Sequence, residues 1–167
     1  MIFDLATFTL IHTVLSMIGI FAGLVVVGGF MSGKQLDGWI GLYLVTTFLT
    51  NLTGFGFPFV VLMPSHILGA LSLIILPVAA IARYLKHLAG GWRKTFVITS
   101  VVALYFNVFV LMVQLFRKVP AMISLAPTQK EPPFVVTQLL ILVIFILLGK
   151  AAVRGFTAPE SELSSRN

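Results

Sequence analysis

The sequence predicts an all-α fold, a polytopic membrane helical bundle with five transmembrane helices, its N-terminus outside and its C-terminus inside. Three observations predict it. Five apolar runs, at 5–31, 39–63, 67–84, 95–116 and 134–148, come close to the ~20 residues that cross ~30 Å of hydrocarbon. The 167 residues are 59% hydrophobic and only 10% charged, with a mean hydropathy of +1.09, a composition that needs lipid as its solvent. The basic residues fall in alternate gaps between the runs. With the N-terminus outside, Lys34, Arg83, Lys86, Arg93, Lys94, Lys150, Arg154 and Arg166 lie inside, against Arg117, Lys118 and Lys130 outside, and the positive-inside rule chooses that orientation.

The first run lacks the basic leader of a signal peptide and is too long for its apolar segment, so it is expected to be an uncleaved first helix. Its residues His12, Ser16, Gly19 and Gly23 share one face, and the small pair at i, i+4 lets a neighbouring backbone come close. The second run puts Thr47, Asn51 and Gly54 on one face, while Gly54, Gly56 and Pro58 can end that helix early and send the chain along the interface. The third opens on Pro64, Ser65 and His66, and Pro77 is expected to bend it. The fourth carries a small and polar stripe of Ser100, Ala103, Asn107 and Gln114. Thr137 and Gln138 open the fifth. Residues 1–154 therefore read as a single transmembrane helical domain and 155–167 as a polar cytoplasmic tail, expected to be disordered.

The net charge of +6 does not imply nucleic acid here, because the cations sit at helix ends, where they meet anionic headgroups. The absence of cysteine excludes disulfides, thiolate metal sites and thiol catalysis. The expected partners are the lipid bilayer and, beyond it, other membrane subunits or further copies of the chain. A bacterial inner membrane, crossed several times, is the expected setting.

Polar side chains within hydrocarbon need a reason, and depth sorts them. Counting ~1.5 Å per residue from the inner charges puts His12 ~33 Å, His66 ~26 Å and Gln114 ~30 Å out, all near the outer interface. Asn51 and Asn107 share a level ~20 Å out, where they can pair as packing glue between helices. The outer connection 117–133 holds Pro120, Pro127, Pro132 and Pro133, and it can fold back as a lid that carries Gln129 and Glu131 over the histidines. The candidate ligand-binding residues are therefore His12, His66, Asn51, Asn107, Gln114, Gln129 and Glu131, expected to form an outward-facing pocket. Each has a plainer role: the asparagines as glue, His66 beside a Ser N-cap, His12 at a depth that reaches water, the loop as a solvated link. His87, in the basic inner loop, is expected to face solvent or headgroups.

The stretches Leu10-Ile-His-Thr-Val-Leu-Ser, Thr53-Gly-Phe-Gly-Phe-Pro-Phe, Pro64-Ser-His-Ile-Leu-Gly, Leu104-Tyr-Phe-Asn-Val-Phe-Val and Leu125-Ala-Pro-Thr-Gln-Lys-Glu-Pro-Pro-Phe resemble those of small uncharacterised bacterial multi-pass inner-membrane proteins. That resemblance covers most of the chain and implies no activity. In size the chain is also similar to DoxX-like membrane proteins, without a motif that carries their properties across.

Three function classes follow. The first, and the one that asks least of the residues, is a non-catalytic membrane subunit or binding protein whose outer pocket takes a lipid, a small molecule or a partner segment. The second is a redox subunit in which His12 and His66 ligate a b-type haem, or in which a quinone sits among His12, Gln114 and Glu131. Zinc or copper on His12, His66 and Glu131 is a variant of it, without supporting ligand spacing. A transporter ranks last, because five helices do not divide into equal repeats and no charge sits at the midplane. No nucleophile or oxyanion motif completes an enzyme.

Overall fold

A computed structural model describes residues 4–58 and 64–157. Of these, 85% are helical, and no strand occurs among the described residues. The helices are α1 (Leu5–Met31), α2 (Asp37–Gly54), α3 (Pro64–Ala80, continuing into a π-helical turn over Ile81–Leu85), α4 (Gly91–Lys118), the short α5 (Pro120–Leu125) and α6 (Pro132–Thr157). Four of these elements are long and apolar enough to cross a membrane: α1, the stretch Ser65–Leu85, α4 and α6. The chain is thus built as a membrane protein.

Helix ends follow local chemistry. Asp4 caps α1 by accepting from the Thr7 amide at 3.4 Å, and hydrogen bonding from the Thr7 hydroxyl first, then from the Thr7 amide, holds the exposed carboxyl below its ordinary value. At the other end Gly33, at φ +67°, takes the left-handed turn after the last helical residues, so that Lys34 N reaches back to Gly29 O at 2.8 Å. α2 stops at Gly54, just where Gly54, Gly56 and Pro58 make continuation costly, and 59–63 of the predicted second run lie outside the described residues. Pro77 stays inside α3. The irregularity it was expected to bring comes one turn later, as the π turn closed by Lys86 N on Ile81 O at 2.9 Å. His87 and Leu88 then both take positive φ, which turns Leu88 into the core and leaves His87 exposed.

Five long elements run side by side in alternating directions. Asp37 of α2 pairs with Arg83 of the π turn at the charged end, while Thr53 of α2 meets His12 of α1 at the other. α1 packs most extensively on α2; α2, α3 and α4 follow in sequence around the bundle, and α6 closes it against α4 and α1. Gly23 of α1 faces both Tyr43 of α2 and Leu104 of α4, so these three helices meet at the centre. Toward the charged end the core is aromatic: Phe30, Phe96 and Phe156 lie with ring centroids 4.8–6.4 Å apart. Leu10, Phe21, Ile74, Leu139 and Leu147 are exposed, as apolar residues facing lipid must be.

Of the polar tail expected over 155–167, residues 158–167 lie outside the described residues, and its first three belong to a helix. α6 continues to Thr157, and both Gly155 and Phe156 are buried, because Phe156 completes the aromatic cluster and Gly155 lies on the last carbonyls of α1.

Candidate functional site

Thr53 fixes the chemistry of His12. Its hydroxyl has one proton, which goes to Leu49 O at 2.7 Å, so His12 Nδ1, 2.9 Å from the same oxygen, is the donor to it. That arrangement suits the Nδ1–H tautomer, which leaves Nε2 as an acceptor. Phe57 meets the ring edge-on at 5.1 Å, and Phe8 packs on Phe57 at 4.9 Å. Gly54 and Gly56 make room for this cluster: a Cβ on Gly54 would lie 3.7 Å from the His12 ring, and one on Gly56 would lie 2.7 Å from Phe8. His12 is half-buried and held from three sides.

His66 packs instead on Phe55, with ring centroids 6.1 Å apart. Thr53, which bonds His12, belongs to the last turn of α2, and Phe55, which packs on His66, is the residue that caps it, so the two histidines meet different residues at this end of the helix. Among the described residues no three His, Asp or Glu side chains gather as a metal site.

The outer connection is folded, with Pro120 at the first position of α5, where its missing N–H costs nothing. Gln129, at φ +59°, sends its amide to Val113 O at 2.9 Å and so ties the loop to α4 beside Gln114, which is half-buried. Glu131 serves its own loop, accepting from Thr128 Oγ1 at 2.8 Å, from Thr128 N at 3.2 Å and from Lys130 N at 3.1 Å. Desolvation raises its carboxyl, but the hydrogen bonds together, that from the Thr128 hydroxyl foremost, outweigh it and hold the group below the ordinary glutamate value. The loop is thus a pinned flap on α4. Gln129 bonds α4, and Glu131 bonds the loop itself.

Sequence reasoning missed the depression that this flap does form. It encloses about 220 Å³ between the end of α4, α5 and the loop, lined by Phe116, Arg117, Ile123, Pro127, Thr128 and Gln129. The signal available for it was the alternation of Pro with apolar residues after two cations, which predicts a loop lying on the interface rather than above it.

Asn51 and Asn107 are both buried but do not bond to each other. Asn51 Nδ2 donates to Thr47 O of its own helix at 2.8 Å, and Asn107 Nδ2 has no protein acceptor. The three small and polar stripes do face inward together. A Cβ on Gly19 would touch Thr46 and Thr47 hydroxyls at 3.2 Å, and Tyr43 Oη donates to Ser100 O at 2.7 Å.

The chain matches no family model, no curated protein and no solved structure.

Proposed function

We propose that this chain is a non-catalytic membrane binding protein of five crossings, N-terminus outside, set in a bacterial inner membrane, and that its outer depression holds the anionic headgroup of a lipid. The observation that carries the reading is the composition of the depression. Arg117 and the apolar walls of Phe116, Ile123 and Pro127 stand together at a helix end, at the depth where headgroups lie. A space of about 220 Å³ is below the usual size of a whole-ligand pocket and suits a headgroup whose chains remain in the bilayer. A guanidinium has five donors, enough to serve a phosphate beside any protein contact.

The fifth crossing is α2. Its 18 residues reach ~27 Å, and its partners Arg83 and His12 belong to opposite ends of flanking spans. Its lower hydropathy comes from Thr46, Thr47, Thr50 and Asn51, which are all buried in the bundle and not set against lipid. Because the chain has no cysteine, single substitutions report sidedness cleanly. In intact spheroplasts an impermeant maleimide is expected to label Lys130→Cys and to reach His87→Cys only after permeabilisation. The opposite pattern inverts the topology.

For the headgroup site, native mass spectrometry of the purified protein is expected to show retained anionic phospholipid. Arg117→Ala should lower its retention roughly tenfold, the scale of one charge-assisted hydrogen-bonded contact, with His87→Ala unchanged. Equal retention in all three proteins would remove the depression as the site.

A further inference from the structure

Two groups of hydroxyls stand apart among the Ser and Thr side chains of the described residues. Thr9, Thr13, Thr46, Thr53, Thr99 and Thr137 each donate to the carbonyl four residues back, at 2.7–2.8 Å, as a hydroxyl in hydrocarbon must when nothing else is near. Thr47, Thr50, Ser72 and Ser100 do not. All four are buried, their oxygens are cut off from solvent, and they have no protein partner; Asn107 Nδ2 is in the same condition.

These unpaired groups belong to the buried faces of α2, α3 and α4. Thr47 lies one turn from Tyr43, which stands at the junction of α1, α2 and α4, and its hydroxyl faces Gly19 of α1. Asn51, a further turn along, directs Oδ1 toward Gly69 of α3, where a Cβ would lie 3.7 Å away. Ser72 is three residues from Gly69 and so shares its face. Asn107 lies two turns beyond Ser100 on the face of α4 that receives the Tyr43 hydroxyl. Thr47, Ser72 and Asn107 are seven, eight and eleven residues from the outer ends of their helices, ~10 to ~17 Å into the hydrocarbon. α1 contributes only Gly19 and the half-buried Ser16 at this level, so the side toward α1 is left small.

Helices could have satisfied these hydroxyls internally, as the buried Thr46 does on Leu42 O, and a dry centre would favour it. We infer that the centre of the bundle between α1, α2, α3 and α4 is a binding site for ordered water, held by Thr47, Asn51, Ser72 and Asn107 with Thr50 and Ser100 at its edges. Water is the ligand class that fits, since donors and acceptors are mixed and no charge is present; a bare cation would not sit against an amide Nδ2. The Phe30, Phe96 and Phe156 cluster closes the site toward the charged end, so the hydrated seam is a blind recess and not a pore.

Hydroxyl-radical footprinting of the wild-type protein in a bilayer nanodisc tests this directly, because radicals made from bound water oxidise the side chains beside it. Tyr43 and Leu104, though buried, are expected to be oxidised within about tenfold of the exposed Tyr84, while Phe30 and Phe96 stay unmodified. Thr47→Val and Asn107→Leu remove a water ligand each and should lower the thermal midpoint by several degrees. Protection of Tyr43 and Leu104 equal to that of Phe96 would overturn the proposal, as would a midpoint raised by both substitutions, the sign expected when a dry, unpaired group is removed. If neither variant folds, the wild-type footprint decides alone.

Discussion

Gly155→Ala is expected to leave little folded protein. A Cβ at this position would collide with Met31 O and lie 2.6 Å from both Met31 C and Phe30 O. These are backbone atoms, and they belong to the last turn of α1, where Ser32 and Lys34 already bond back to Gly28 and Gly29. Neither side of the contact can swing away as a side-chain tip would. Relief requires α6 to move off α1 by about an ångström, which opens the neighbouring cluster of Phe30, Phe96 and Phe156. Overpacking in a rigid site costs about 3 kcal/mol or more, a large part of the stability of a small protein. Gly28→Ala and Gly41→Ala are the controls, since a Cβ at either meets nothing within 4 Å and helix propensity favours alanine. Thermal unfolding in detergent should therefore show Gly155→Ala lowered or unmeasurable and both controls at or above wild type. A Gly155→Ala midpoint equal to wild type would mean that the end of α6 is not docked on α1.

What the residues made legible, and what they did not, follows from the solvent. Length and hydropathy marked out α1, α3, α4 and α6 because a bilayer imposes a minimum apolar length that little else in a chain imitates. Gly54, Gly56 and Pro58 marked the end of α2 for reasons of backbone chemistry alone. Small and polar stripes indicated which faces turn inward, since lipid gives Gly19 and Asn51 no reason to be where they are. Side-chain partners were another matter. Where lipid and core are equally apolar, the pattern along a helix leaves its rotation open to several residues either way. A turn of that size separates an Asn51 that meets Asn107 from one that bonds its own helix and faces Gly69. His12 and His66 illustrate the same limit. Equal depth suggested one site, and depth says nothing about the neighbours each ring meets, Thr53 and Phe57 for His12 and Phe55 for His66. Glu131 was misplaced by charge: an exposed carboxylate near two histidines invites pairing, but three donors within its own loop were closer.

Tyr43 joins three helices through one side chain, and two substitutions separate what its ring does from what its hydroxyl does. The ring is 1% exposed and lies against the bare backbone of Gly23, and the hydroxyl donates to Ser100 O at 2.7 Å. Tyr43→Phe keeps the ring and removes one hydrogen bond, worth about 1 kcal/mol. Tyr43→Ala opens a cavity between α1, α2 and α4, with an expected loss of about 3 kcal/mol. That loss arises mainly from packing contacts rather than from transfer to water, because the separated helices would still be in lipid. Gly23 supplies the test that the ring stands where it is described. A Cβ there would come within 2.8 Å of the Tyr43 ring and 2.6 Å of Leu104 Cδ1; the leucine tip can rotate away, but the ring is held by its hydroxyl. Gly23→Ala should therefore cost stability in the wild-type background and cost less, by about 1 kcal/mol or more, once Tyr43 is alanine. Equal costs in the two backgrounds would mean that Gly23 and Tyr43 do not touch, and the meeting of α1, α2 and α4 would have to be redrawn.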